Sequence, residues 1–229
     1  MDGEAPDKNL VIITGSYGSG KTEYAINLAA RASEAGKPCA LVDLDVVNPY
    51  FRTRDVRSLF APGRVDVVAP EGGFSHADLP MLSPRVLGSI KSRGKITILD
   101  VGGDPMGARV LGSLAGHVKV RGYSLILVVN TRRPDTRTEE EVLEMMARIE
   151  KSARLSITGI VSNTHLMEQT TVEVINAGAS VAMRVAEKRT LDYMGTCVLE
   201  DYLSRLDIRS VTGPVFVMKK YMKKPWEGR

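Results

Sequence analysis

An α/β fold, with a doubly wound and mostly parallel sheet flanked by helices in three layers, is predicted by three observations. Apolar segments of strand length alternate with segments of helical spacing along most of the 229 residues. The predicted strands show little polar–apolar alternation, as expected when helices cover both faces of a sheet. A glycine-rich loop joins the first predicted strand to the first predicted helix, which is the arrangement of a phosphate-binding α/β protein.

The predicted elements follow the alternation in order. Strands are predicted at 9–14, 38–43, 65–69, 95–100, 123–130, 156–162 and 179–185. Helices are predicted at 21–35, 53–60, 83–93, 107–116, 136–152, 170–178 and within 188–206. A last edge strand is expected between Pro214 and Val217, and residues 70–82 are expected to form a long loop on the functional side.

The loop after the first strand matches the phosphate-binding pattern G-x-x-x-x-G-K-[ST]. Its glycines allow backbone N–H groups to approach phosphate oxygens without an intervening Cβ. The lysine of this pattern reaches the β- and γ-phosphates, and the hydroxyl that follows it binds Mg²⁺. The predicted nucleotide-binding residues are therefore Gly15, Ser16, Tyr17, Gly18, Ser19, Gly20, Lys21 and Thr22.

Polar side chains follow three other predicted strands at the edge of the sheet where ligands bind. Asp43 and Asp45 end the second strand, and Asp43 could either bind or simply brace the loop. Asp100 follows four apolar residues, as does the carboxylate that holds the Mg²⁺ shell in Walker B strands. Gly103 completes a D-x-x-G pattern whose N–H can sense a γ-phosphate. Asn163 ends a late strand, where its amide could read a purine edge or serve only in a turn.

This order of motifs resembles the SIMIBI class of P-loop NTPases, and within it the CobQ/CobB/MinD/ParA-type nucleotide-binding domain. The resemblance covers roughly residues 9–185 and is strongest at 15–22, 41–49 and 100–104. Residues 100–104 are also similar to switch II of the nitrogenase iron protein. The resemblance implies that Asp45 orients or deprotonates the attacking water and contributes to the metal site with Thr22 and Asp100. It also implies that Asp104 couples the γ-phosphate state to a partner surface.

The sequence departs from this class at two points. Many members carry a signature lysine directly after the first loop glycine, and this chain has Ser16 there, which puts the nucleotide-sandwich homodimer in doubt. The cluster-ligating cysteines of the iron protein are also missing, so no iron–sulfur cluster is expected. Five arginines are candidates to replace the signature lysine, and the sequence does not choose among Arg52, Arg54, Arg109, Arg132 and Arg133.

Composition adds few constraints on function. Residues 219–229 carry five basic residues and one acidic residue, which accounts for the entire net charge of +4. The remainder is electrically balanced, which argues against a broad nucleic-acid-binding face. We expect a single domain over residues 1–218 and a basic tail over 219–229 that is either solvated or an electrostatic docking segment. In both cases the tail would lie outside the catalytic fold. No transmembrane segment or signal peptide is recognised, so a cytoplasmic location is expected.

Three functions remain open on these grounds. The first is Mg²⁺-dependent binding and hydrolysis of a nucleoside triphosphate, with ATP favoured over GTP. The protein would then act as a nucleotide switch toward a protein partner, or in the delivery of a cofactor or metal. The second is an ATP-dependent small-molecule ligase or kinase that uses the same loop. The third is a nucleotide-dependent binding module that its basic tail recruits to an acidic partner, a membrane or a nucleic acid. Fold analogy does not separate them, because one scaffold hosts many chemistries.

Overall fold

A computed structural model of the chain describes residues 9–45, 56–60, 63–68, 84–103 and 105–222. Within these ranges lie eight strands: β1 (Leu10–Thr14), β2 (Cys39–Asp43), β3 (Val65–Val68), β4 (Ile96–Asp100), β5 (Ser124–Val129), β6 (Gly159–Ser162), β7 (Asp192–Leu199) and β8 (Val215–Met218). The helices are α1 (Lys21–Glu34), α2 (Pro84–Lys91), α3 (Pro105–Arg121), α4 (Glu139–Ala153) and α5 (Val172–Arg189). All eight strands are parallel and form one sheet in the order β3-β2-β4-β1-β5-β6-β7-β8.

Helices cover both faces of the sheet. Ile12 belongs to an apolar cluster built with α2, α3, α4 and α5, whereas its neighbour Ile13 belongs to a cluster built with α1. Val42 and Leu41 divide between the two clusters in the same way. Successive side chains of a strand point to opposite faces, so a strand buried on both faces must be apolar at every position. This explains the continuous apolar runs and confirms the predicted three-layer α/β class.

The strand order places the glycine-rich loop at the centre of the molecule. Strand β1 pairs with β4 on one side and with β5 on the other. The chain therefore winds outward in both directions from β1, which makes the carboxyl end of this strand a topological switch point. Crevices at such points are where ligands bind in open α/β sheets.

The predicted strand at 179–185 is wrong, because these residues lie within helix α5. The buried residues of α5 recur every three or four positions, which is a helical period. Gly178 lies inside this helix, where its lack of a side chain allows close packing. A Cβ added there would lie 2.0 Å from the Thr164 hydroxyl oxygen.

The predicted helix within 188–206 is wrong for a related reason. Residues 192–199 form strand β7, which lies between β6 and β8, and a short 3₁₀ turn at Glu200–Tyr202 follows. Gly195 adopts a φ of 121°, and the register of β7 against β6 shifts at Ile160/Val161. This irregularity interrupts the apolar pattern by which the strand could have been recognised.

The remaining predicted strands are confirmed to within three residues at each end, including the edge strand β8. Helix α3 continues five residues beyond its predicted end at 116. Its last residue, Arg121, is buried and donates hydrogen bonds to the carbonyl oxygens of Ser89, Ile90 and Lys95. The predicted loop 70–82 and residues 53–55 of the predicted helix 53–60 lie outside the described residues. Of residues 56–60, only 56 and 57 are helical. In the part of the chain that is described, no helix has the length and apolarity needed to cross a membrane.

We predict that Gly112→Ala destabilises the protein by about 1–3 kcal/mol, because overpacking a close helix contact forces backbone shifts. The new Cβ would lie 2.4 Å from the backbone oxygen of Ser152, where α3 crosses α4. Gly116→Ala is the matched control on the same helix, since nothing lies within 4 Å of its Cβ position. The control should gain up to about 1 kcal/mol from helix propensity. Urea unfolding measures both, and equal stabilities of the two variants would contradict this packing.

Candidate functional site

The glycine-rich loop joins β1 to α1 and leaves the first turn of the helix open. Gly18 and Gly20 have φ values of 74° and 85°, a region that suits glycine. Gly20 is also the N-cap of α1 and contributes no side-chain hydrogen bond. The first N–H groups of a helix have no partner within the helix, and together with the helix dipole they bind anions. The loop therefore has the geometry of a phosphate site.

The loop that follows β4 lies directly against the phosphate loop. A Cβ added to Gly103 would lie 2.2 Å from the backbone oxygen of Gly15. A Cβ added to Gly15 would in turn lie 2.4 Å from the backbone oxygen of Val128, in strand β5. Glycine is required at both positions by close backbone approach. A displacement of Gly103 would therefore also displace the backbone of the phosphate loop at Gly15.

Two carboxylates hold the functional side chains of the loop. Lys21 Nζ lies 2.7 Å from Asp45 Oδ2, and both side chains are more than nine-tenths buried. The Thr22 hydroxyl donates to Asp100 Oδ2 over 2.7 Å. Sequence reasoning predicted all four residues, and the structure brings them together at the carboxyl ends of β1, β2 and β4.

Asp43 braces the loop that carries Asp45. It lies opposite Asp100 in the β2–β4 register, and its Oδ1 accepts a hydrogen bond from the Asp45 backbone N–H over 3.0 Å. Burial, together with the negative charge of Asp100, raises the pKa of Asp43 to about 8. Asp43 therefore makes the bracing contact that was one of its two predicted roles.

Asp100 is fully buried, and burial raises its pKa to about 6, while Lys21 and the Thr22 hydroxyl act in the opposite direction. Its Oδ1 atom has no hydrogen-bond partner among the described residues. A buried carboxylate oxygen without a partner, next to a threonine hydroxyl, suits a hard cation such as Mg²⁺. No group of three or more Asp, Glu, His or Cys side chains within the described ranges is arranged to hold a metal.

Asn163 packs behind the phosphate loop. Its Nδ2 donates to the Ser19 carbonyl over 2.7 Å, and a Cβ added to Gly20 would lie 2.2 Å from the same nitrogen. One amide hydrogen is thereby used and the second is left for another acceptor. Two residues further on, burial and the charge of Arg133 lower the pKa of His165 to about 4. That imidazole is neutral at physiological pH.

Arg133 is the one of the five candidate arginines that contacts the phosphate loop in the described chain. Its Nε donates to the Gly18 carbonyl over 3.0 Å. Arg109 and Arg132 are exposed to solvent. The sequence named Arg133 but could not single it out, because the β5–α4 turn that brings it to Gly18 has no motif. The predicted residue Asp104, together with Arg52 and Arg54, lies outside the described residues.

A cavity of about 330 Å³ adjoins the phosphate loop. Ser16 and Gly103 line one end of it, and Met145, Arg148 and Ile149 of helix α4 line the wall. Ser16 stands at the position of the signature lysine, and its hydroxyl oxygen is buried without a described hydrogen-bond partner. A pocket with apolar walls and a few polar groups has the character of a small-molecule site.

Comparison with known proteins supports the assignment of this loop. A family model described as the CobQ/CobB/MinD/ParA nucleotide binding domain matches residues 10–172. The tRNA dimethylallyltransferase of Bifidobacterium longum subsp. infantis is 30% identical over 110 residues, which are 44% of this chain and 33% of that protein. A tRNA dimethylallyltransferase 2 of Geotalea uraniireducens is 34% identical over 119 residues, 48% of this chain and 36% of that protein. The chain thus spans about a third of the length of these relatives.

Two solved structures share the fold. FtsY from Mycoplasma mycoides superposes with a TM-score of 0.56 at 16% identity, covering 84% of this chain and 60% of that one. Signal recognition particle 54 kDa protein from Aeropyrum pernix K1, in complex with GDP, has a TM-score of 0.53 at 20% identity, covering 84% of this chain and 42% of that one. At such identities the likeness concerns the fold alone.

We predict that the free energy of unfolding of the nucleotide-free protein contains a contribution from Asp43 that decreases between pH 6.5 and 8. The pKa of this carboxyl is about 8 in the folded state, and the unfolded value is near 4. The folded state therefore keeps a proton that the unfolded state has lost, so rising pH removes stability, by at most about 1.4 kcal/mol per unit.

Asp43→Asn should flatten this slope relative to the wild type in urea unfolding measured across that window. His165 is present in both proteins and contributes equally to the two profiles, so the difference between wild type and variant isolates Asp43. Parallel pH profiles for wild type and variant would contradict the raised pKa of Asp43.

Proposed function

Because the chain belongs to the CobQ/CobB/MinD/ParA nucleotide-binding domain family, we propose that it binds ATP with Mg²⁺ and hydrolyses it as a switch. The observation that carries the proposal is the pair of carboxylate contacts on the phosphate loop. Lys21 is held by Asp45, and Thr22 by Asp100. These two carboxylates lie at the carboxyl ends of β2 and β4, so a ligand that engages the lysine and the threonine acts on both strand ends at once.

The residues of the chain have separate roles in this proposal. Lys21 binds the β- and γ-phosphates, and the N–H groups of the loop bind the phosphate oxygens. Thr22 and Asp100 hold Mg²⁺, which neutralises charge on the phosphate oxygens when it is bound. Asp45 orients the attacking water and accepts its proton, and Arg133 stabilises charge where other members of the class use the signature lysine.

The Lys21–Asp45 ion pair supplies the switch. Asp45 and the phosphates compete for the same ammonium group, since both are anions that pair with it. Phosphate binding therefore weakens the hold of Lys21 on the loop that begins at residue 44. Phosphate binding would also affect Gly103, because the Gly103 backbone lies against Gly15 of the phosphate loop. Asp104, which follows Gly103, would transmit the change to a partner protein or a second copy.

A second candidate is ATP-dependent transfer to a small acceptor, as in a ligase or kinase. The cavity beside Ser16 and Gly103 favours it, because an acceptor bound there would lie next to the phosphate loop. Arg148 would attract an anionic group of that acceptor. The similarity to proteins named as tRNA dimethylallyltransferases covers only about a third of those proteins and points to no particular acceptor. ATP consumption that begins only when an acceptor is added would favour transfer over the switch.

We predict that Lys21→Ala weakens Mg-nucleotide binding at least tenfold, about 1.4 kcal/mol. The variant removes the ammonium group that pairs with the β- and γ-phosphates. Asp45→Asn and Asp100→Asn should instead keep binding and lose turnover, since groups that act on water and metal matter most in the transition state. Titration with a fluorescent ATP analogue measures binding, and steady-state phosphate release measures turnover.

Asp66→Asn is the matched control for the two aspartate variants. This carboxylate lies on β3, pairs with Arg85 and Lys95, and is half exposed. It should leave both readouts unchanged. Unaltered affinity in a folded Lys21→Ala variant would contradict the assignment of the nucleotide site. Unaltered turnover in both the Asp45→Asn and the Asp100→Asn variants would contradict the hydrolase proposal.

We predict that ATP is preferred over GTP. The remaining amide hydrogen of Asn163 can serve N7 of either purine. The N1–H and N2–H donors of guanine need a carboxylate acceptor, and the four residues after Asn163 are Thr164, His165, Leu166 and Met167. Competition of ATP and GTP against a labelled nucleotide decides the matter. Tighter binding of GTP would reverse the assignment.

A further inference from the structure

The chain after strand β8 returns along helix α1 and is bound to it by hydrogen bonds. We name residues 217–222, which are the last two residues of β8 and the four that follow them, the C-terminal strap. An Arg31 guanidinium nitrogen donates to the Val217 carbonyl over 2.8 Å. Asn27 donates to the Lys219 carbonyl over 2.9 Å and accepts from the Lys219 N–H over 2.8 Å. Glu23 accepts from the backbone N–H groups of Tyr221 and Met222.

The strap is in register with one face of the helix. Glu23, Asn27 and Arg31 are spaced by four residues, so they lie one above the other along α1. Contacts progress from Arg31 near the end of the helix to Glu23 in its first turn, and the strap therefore runs toward the phosphate loop. Phe216 fixes the start of the strap, since its ring lies 3.6 Å below the Arg31 guanidinium carbon.

Glu23 is an unfavourable residue for a phosphate site unless its charge is compensated. It follows Thr22 directly and lies in the turn whose N–H groups face the phosphate. A carboxylate in this turn repels the phosphates and competes with them for the helix dipole. The strap supplies two backbone N–H donors to this carboxylate, and Lys220 adds a positive charge nearby.

We propose that the strap is a positioning element for nucleotide binding, in which the backbone N–H groups of Tyr221 and Met222 hold the Glu23 carboxylate against the strap and offset part of its negative field at the phosphate site. Asn27 acts as the anchor that keeps the strap in register. The inference rests on the proposed nucleotide site. This role differs from the expectation that the whole tail, residues 219–229, lies outside the catalytic fold. Residues 219–222 contact helix α1, the first helix of that fold.

Two truncations separate the strap from the basic residues beyond it. A chain ending at Met222, amidated so that no terminal carboxylate is added beside Glu23, keeps the strap contacts described above and loses Lys223, Lys224 and Arg229. A chain ending at Met218 loses residues 219–222 as well. Binding of a fluorescent ATP analogue with Mg²⁺ should be unchanged in the first. In the second it should weaken by roughly tenfold at low salt and by less at high salt, where charge repulsion is screened.

Glu23→Gln provides the decisive readout. In the chain ending at Met218, this substitution should restore most of the lost affinity, because it removes the charge that the strap no longer compensates. In the complete chain it should change affinity by less than about twofold, since the single amide oxygen can take the place of Oε1, which already accepts from Tyr221 and lies 3.4 Å from the Met222 nitrogen. Lost packing alone would not be repaired by an isosteric amide, so rescue identifies the charge as the cause.

Asn27→Ala in the complete chain covers the case in which the shorter truncation fails to fold, and it should weaken binding in the same direction. Affinity retained in a folded chain ending at Met218 overturns the proposal, as does an equal loss in the chain ending at Met222. A loss that Glu23→Gln does not rescue also overturns it. If the unaltered protein fails to bind the analogue, the nucleotide site itself falls and this inference falls with it.

Discussion

Three carboxylates and one lysine share a buried volume at the carboxyl edge of the sheet, and the electrostatics of that volume govern the site. The parallel register sets Asp43 directly opposite Asp100, and Asp45 follows two residues later. Burying several like charges is costly unless they are protonated or paired. The chain meets this constraint by raising the pKa of Asp43 and Asp100 and by pairing Asp45 with Lys21. A polyanionic ligand and a divalent cation would rearrange every one of these interactions.

The same region was the part of the molecule most open to prediction from sequence. The phosphate-binding pattern specifies side chains and backbone together, so Lys21 and Thr22 could be assigned roles from their spacing alone. Asp45 and Asp100 followed because strands of a parallel sheet end at one edge. What the sequence could not supply was the partner of each side chain. For example, Asp43 braces its loop through a hydrogen bond from the Asp45 backbone, which the sequence does not show.

The errors in the predicted fold have one physical origin. Gly178 and Gly195 both look like breaks in a pattern, yet one allows a helix to pack against Thr164 and the other permits an irregular strand. A glycine required by a neighbour that is distant in sequence cannot be distinguished from a glycine that ends an element. The contacts of Arg133 with Gly18 and of the strap with Glu23 were missed for the same reason, since each joins segments more than a hundred residues apart.

The central place of β1 in the sheet governs how the protein folds. Leu10 pairs with Thr97 and Val11 pairs with Ser124, so the strand that begins the phosphate loop makes no local strand pairing. Closing such long loops costs chain entropy before any contact offsets it, and topologies of this kind fold slowly. The phosphate loop extends from a strand that is held between β4 and β5. The first motif in the chain therefore depends for its native geometry on strands that come much later in the sequence.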